Sequence, residues 1–181
     1  MGQTFEELIG RHLDDLYSAA LCFTLDEHRA EELLQEASIR AFHESARRPP
    51  DSDFRLAMLN ILVSTYLQRQ RRMGCDPLAE GTEPLDEMLS TNPIRIESFP
   101  EPGTAGYRLL RDWMDRVWSE LDAGDRLVLW LADVERIRHA VVAGMVGLDV
   151  EAVRSRHYRA RLTLSHGVGR ELDKALGGAD A

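Results

Sequence analysis

The sequence predicts an all-α protein. Two small helical domains, residues 1–72 and 105–176, are joined by a flexible acidic linker over 73–104 and followed by a short, frayed tail, 177–181. Apolar residues recur at three- and four-residue steps through both flanking segments, the spacing that puts them on one face of a helix. Between them, residues 73–104 hold five prolines (77, 84, 93, 100, 102), three glycines (74, 81, 103) and an excess of acids, the composition of a linker. A chain of 181 residues can hold one large or two small domains, and its ordinary apolar fraction supports a core in each.

The first helix is expected from about Thr4 to Phe23, with Phe5, Leu8, Ile9, Leu16, Ala20 and Phe23 as its stripe. Thr4 is its expected N-cap, and Glu7 three residues on completes a capping box. Thr24 to Asp26 turn the chain into a second helix, about Glu27–Ser45. There Ala30, Leu33, Leu34, Ala37, Ala41 and Phe42 form an apolar stripe, while Glu31, Glu32, Gln35 and Glu36 project the other way. That acidic face suits either solvent or a basic partner helix. The loop from Glu44 to Phe54 carries Arg47-Arg48-Pro49-Pro50 and cannot be helical through its prolines. A third helix, about Phe54–Arg72, ends in Arg69, Arg71 and Arg72, which complement its dipole and suit phosphate contacts. The linker has room for one short helix, Leu85–Ser90. Beyond it, Leu109, Leu110, Trp113, Val117 and Leu121 make a further stripe, with Trp118 and Trp130 thickening the core.

From Asp133 to Leu164 the pattern is two helices around a tight turn. Gly147 stands where a helix needs a left-handed C′ residue, and Leu148-Asp149 supply the turn and an acid for the next N-terminus. The first helix of the pair places Val141, Val142 and Met145 inward. On the second, Val150, Val153, His157, Ala160 and Leu164 share the apolar face. Glu151, Arg154, Ser155, Tyr158 and Arg159 face outward on the same wheel, with Arg156 and Arg161 on the flanks. An arginine-rich face on a helix-turn-helix is suited to a DNA major groove. His157, alone on the apolar side, reads as a hydrogen-bonded core or edge residue rather than a ligand.

Charge and motifs narrow the function. The formal net charge is −9, but it is unevenly spread. Residues 76–101 hold seven acids against one base, a net of −6, whereas 150–172 hold five arginines against two glutamates, a net of +3. No metal-ligand spacing, phosphate-binding glycine pattern or nucleophile motif occurs, so no catalytic residue, metal or cofactor is expected and an enzyme is disfavoured. Cys22 and Cys75 are far apart and read as reduced thiols of a cytoplasmic protein. No apolar run is long enough to span a membrane and the N-terminus lacks a signal pattern, so no membrane contact is expected.

Three segments, in order, resemble the extracytoplasmic-function (ECF) group of bacterial sigma factors. Asp133-Val134-Glu135, Ala143 to Gly147, and Val153-Arg154-Ser155-Arg156-His157-Tyr158-Arg159-Ala160-Arg161 with Leu164 resemble the family's region 4. Leu121 to Leu129 resembles its lead-in helix. Glu31-Glu32-Leu33-Leu34-Gln35-Glu36-Ala37 resembles the polymerase-docking helix of region 2, and Met58 to Arg72 its promoter-melting helix. The chain departs from the pattern at Ala57 and Ser64, where tryptophan and asparagine are usual, and at Ala140, Val141 and His157.

The resemblance implies a sigma factor that binds core RNA polymerase and promoter DNA, resides in the cytoplasm with the nucleoid through polymerase, and is held by an anti-sigma factor. It assigns Glu31, Glu32, Leu34, Gln35 and Glu36 to polymerase. Asp51, Ser52, Asp53 and Phe54, with Ser64, Arg69, Arg71 and Arg72, fall to the −10 element and its melted strand. Glu151, Arg154, Ser155, Arg156, Tyr158, Arg159 and Arg161 fall to the −35 element. The linker is either a spacer or a segment threaded through the polymerase channel. The missing tryptophan and asparagine leave a second reading, a degenerate sigma-like decoy for an anti-sigma factor that no longer initiates transcription.

Overall fold

The computed structural model describes residues 4–45, 53–79 and 105–177. Among these lie seven α-helices and one π-helical turn, and no strand. They are α1 (Phe5–Thr24), α2 (Glu27–Ser45), α3 (Phe54–Arg72), α4 (Ala105–Glu120), α5 (Ala123–Leu129), the π turn (Trp130–Val134), α6 (His139–Val146) and α7 (Val150–Gly177). The all-α class read from the sequence is the class observed. The expected short helix at 85–90 lies outside the described residues, as do the loop 46–52 and the tail beyond Gly177. The helices fall into two compact units, one of α1–α3 with α6, the other of α4, α5, the π turn and α7.

In the first unit the caps set the boundaries. The Glu7 amide donates to Thr4 Oγ1 at 3.3 Å and the Thr4 amide to Glu7 Oε2 at 3.2 Å, the reciprocal pair of a capping box. α1 closes on Leu25, held left-handed at φ 53. Asp26 then accepts from the Arg29 amide at 2.8 Å and starts α2. Asp53 caps α3 by accepting from the Leu56 amide at 3.3 Å. α1 packs on α2, and Leu16, Ala20 and Phe23 of the first and Ala30, Leu33 and Ala37 of the second are all buried. Phe42, expected on the buried stripe, is 52% exposed and touches Phe5 edge-on at 5.5 Å.

α3 is the central helix. Eight of its residues from Met58 to Leu67 are buried, so it lacks the single polar face of a surface helix. Each large side chain so buried contributes about 1.5–3 kcal/mol. The buried Thr65 hydroxyl donates to the Ile61 carbonyl at 2.7 Å and accepts from Arg40 Nη1 at 2.9 Å, so its burial leaves no polar group orphaned.

The second unit is built on α7. Leu121, Leu129 and Ala160 form its centre, with Trp118 and Leu164 packed against them. Asp122 caps α5 by accepting from the Gly124 amide at 2.9 Å. Gly167 of α7 lies against Val117 of α4 so closely that a Cβ would sit 2.2 Å from a valine methyl. Trp118 and Trp130 meet edge-on at 6.3 Å, as packing groups.

Candidate nucleic-acid interface

The turn before α7 is the one its sequence requires. Gly147 sits at φ 74, and the Leu148 and Gly147 amides both donate to the Ala143 carbonyl, at 3.1 and 2.9 Å. This is the six-to-one closure of a Schellman motif, and glycine adopts the left-handed angle without penalty. On α6, Val142, Ala143 and Val146 are buried, Met145 is half-buried, and Val141, expected inward, is exposed.

The faces expected on α7 need correction at Ser155, expected outward, at Arg156, expected on the flank, and at Val150, expected on the apolar face but exposed. Ser155 and Arg156 are buried, with 6% and 1% of their surface exposed. The buried face of α7 therefore runs through Ala152, Val153, Ser155, Arg156 and Ala160. The cause is Asp125 of α5, itself 3% exposed, which binds Arg156 at 3.2 Å and also takes the Arg159 guanidinium in a two-point pair. A carboxylate removed from water needs charged partners, and two arginines on successive turns of α7 supply them. Arg156 is thus a structural cation, and Arg159, half-buried, is shared with the core. Arg154 and Arg161 remain exposed, near Glu151 and Asp133 respectively, both at 3.5 Å. Glu151 is exposed and Tyr158 half-buried.

His157 joins α7 to the segment that follows the π turn. Its Nε2 lies 2.9 Å from Asp133 Oδ1 and its Nδ1 lies 2.9 Å from His139 Nε2. A carboxylate can only accept, so His157 donates to Asp133 through Nε2, and its Nδ1 shares a hydrogen bond with His139 Nε2. Burial lowers the pKa of His139 below the ordinary 6.5, with His157 and Arg154 adding to the effect and Asp133 opposing it. Both ends of the 133–139 segment are thereby fixed to one residue of α7. Between them, Arg136 and Arg138 are exposed.

The other candidate surface belongs to α2 and α3. Glu31 and Gln35 are exposed, as is Glu32, whereas Leu34 is buried in the bundle. Glu36 pairs with Arg69 at 2.6 Å, and Glu32 approaches the same guanidinium at 3.5 Å. Arg71 pairs with Asp76 at 3.1 Å, and Arg72 is exposed. Phe54 packs against Phe5 and His12 at 5.7 and 6.1 Å, and Asp53 is engaged as the cap. The Ser64 hydroxyl donates back to the Ile61 carbonyl. Asp51 and Ser52 lie outside the described residues. No cluster of metal-binding side chains occurs among the described residues.

The chain matches no protein-family model. Over 164 residues it is 28% identical to the RNA polymerase sigma factor CnrH of Cupriavidus metallidurans, spanning 90% of this chain and 85% of that one. Over 161 residues it is 27% identical to the ECF RNA polymerase sigma factor SigE of Mycolicibacterium smegmatis, spanning 89% of this chain and 60% of SigE. The chain is thus similar to RNA polymerase sigma factors, one of them of the ECF group, along about nine-tenths of its length. Its fold agrees. The sigma factor RpoE of Bartonella quintana, solved in complex with the anti-sigma factor NepR, superposes with a TM-score of 0.65 at 20% identity, over 91% of this chain and 96% of that one.

Against the sigma-factor pattern, the sequence located the α7 segment but not what fixes its rotation. Asp125 was the missed residue. The signal was present, since an acid whose i−4, i+3 and i+4 neighbours are Leu121, Val128 and Leu129 stands on an apolar stripe and calls for a cationic partner. Asp133 and His139 were likewise not singled out as partners of His157, because their pairing depends on the π turn, which periodicity does not show.

Proposed function

We propose that this relative of the ECF sigma factors binds core RNA polymerase through α2 and directs transcription from promoters read at −10 and −35. Residues 1–72 act on polymerase and the −10 element, residues 105–176 act on the −35 element, and 73–104 connect them. What carries the reading is that two sigma factors align with about nine-tenths of this chain, across both segments, with the exposed arginines of α7 inside the aligned order. On α7 the DNA-facing set is Glu151, Arg154, Tyr158 and Arg161, with Arg159 sharing its charge with Asp125. Arg156 is left out of the set because it is committed to the core. Near the melted strand, Arg72 and Arg71 are the cations best placed for phosphates, whereas Arg69 anchors Glu36. The relatives' names support a non-enzymatic role in the cytoplasm, and RpoE, solved with NepR, supports control by an anti-sigma factor.

The test is a pull-down with bacterial core RNA polymerase followed by run-off transcription on a genomic library. Stable association with discrete start sites is expected. Glu31→Lys reverses an exposed charge of α2 without unpairing Arg69, and should weaken association; undiminished binding would remove α2 from the interface. Ala57 and Ser64 favour the second reading, a decoy for an anti-sigma factor, because no aromatic or amide group stands where melting groups are usual. Association without transcripts would select it.

A further inference from the structure

We infer that the segment between the π turn and α6 is a second phosphate-binding element, in which Arg136 and Arg138 extend the basic face of α7 onto the backbone of duplex DNA. The inference rests on reading α7 as the duplex-contacting helix. It starts from a backbone outlier, because Arg136 is held left-handed at φ 54 in an exposed loop. The angle closes the π turn behind its C-cap Glu135, as Leu25 closes α1; glycine would take it freely, whereas a side chain with a Cβ pays for it, so the position does not favour arginine over glycine. The loop is also rigid at both ends. Asp133 and His139 each bind His157 at 2.9 Å, the Glu135 amide donates to the Trp130 carbonyl and the Ile137 amide to the Leu131 carbonyl, both at 3.0 Å.

The clamp also fixes the direction in which the loop runs. Its start at Asp133 reaches Arg161, one turn beyond His157 on α7. Its end at His139 feels the charge of Arg154, one turn before His157. The loop that carries the exposed Arg136 and Arg138 is therefore tied to α7 at both ends, within the span bounded by the two exposed arginines of the proposed interface. Neither makes an ion pair with a described residue, whereas Arg156 and Arg159 are bound to Asp125. The carboxylates nearby are Asp133, Glu135 and Glu151, of which Asp133 is already shared by His157 and Arg161. Four exposed guanidinium groups on α7 and on a loop tied to it suit a row of phosphates, an anionic partner whose spacing is independent of base sequence.

The experiment measures binding of the full chain to a fluorescently labelled duplex of mixed sequence across a salt series at low ionic strength. Each arginine that neutralises a phosphate contributes about 0.9 to the slope of log affinity against log salt. Arg136→Gly and Arg138→Gln should each lower that slope by about 0.9, equally on unrelated sequences. Arg136→Gly should also keep or raise the melting temperature, because glycine relaxes the left-handed backbone, so a loss of binding cannot be ascribed to misfolding. An unchanged slope in both variants, with Arg154→Ala lowering it, would overturn the role of the loop and leave α7 as the contact. An unchanged slope in all three, or no binding by the parent chain, would overturn the reading of α7 itself.

Discussion

Asp125 is the residue on which the second unit turns. Its carboxylate is buried with Arg156 and also holds Arg159. Removing one member of such a group strands charge in a dry interior, which costs about 3–5 kcal/mol. Asp125→Ala is therefore expected to lower stability by about that amount, with Arg154→Ala near neutral because its partner Glu151 is exposed. Urea midpoints of the two variants decide the matter, and similar midpoints would mean that water reaches Asp125. His139 gives a second residue-scale prediction. Its native pKa is below 6.5, so the unfolded chain takes up a proton first as the pH falls. Stability attributable to His139 is complete above about pH 6.5 and declines as pH drops through the lowered native value. His139→Gln should flatten this part of the curve, measured as melting temperature between about pH 7.5 and about pH 5. An unchanged slope would place the pH sensitivity elsewhere.

At the scale of elements, the Thr4–Glu7 capping box made the start of α1 legible, because a short polar side chain that satisfies free amides is a local interaction that the sequence states directly. Asp26 and Asp53 cap α2 and α3 in the same manner, although Asp26 reads from the sequence only as a turn residue and Asp53, by resemblance, as a −10 candidate. The expected bounds of α2 and α3, Glu27–Ser45 and Phe54–Arg72, are the observed ones. The face of α7 was less legible, because a helical wheel ranks Arg156 by polarity and cannot see the carboxylate that draws it inward. The wheel misplaced Val141 as well, since α6 is apolar almost all round and its sequence does not choose a side. Glycine placement shows the same contrast between local and tertiary effects. Gly10 of α1 is exposed with nothing near a would-be Cβ, so Gly10→Ala should stabilise by about 0.5–1 kcal/mol through helix propensity alone. Gly167→Ala gains the same propensity but drives a methyl to 2.2 Å from Val117, whose branched side chain has little freedom to yield. Overpacking costs about 1–3 kcal/mol and should win, so the two substitutions are expected to move the melting temperature in opposite directions. A Gly167→Ala protein as stable as the parent would show that α4 and α7 can separate at little cost.

Across the whole molecule, charge is partitioned along the chain. A net charge of −9 opposes DNA, yet residues 76–101 account for −6 of it and residues 150–172 carry +3. On the proposed function the acidic segment would repel the phosphates that the basic α7 segment would attract, and the chain alone is expected to hold duplex weakly. A polymerase that occupies the acidic segment would, on that reading, relieve this repulsion and so couple DNA binding to assembly. Replacing Glu80, Glu83, Asp86 and Glu87 with their amides removes four negative charges and keeps side-chain shape. The substituted full chain should bind mixed-sequence duplex more tightly than the parent at low ionic strength. The advantage should shrink as salt rises and the Debye length falls from about 30 Å at 0.01 M to about 8 Å at 0.15 M. A salt-independent gain would point to a direct contact between the acidic segment and the arginines of α7. No gain at any salt would mean that bound duplex lies beyond the reach of the acidic segment's field, and that the weakness of duplex binding has its origin in α7.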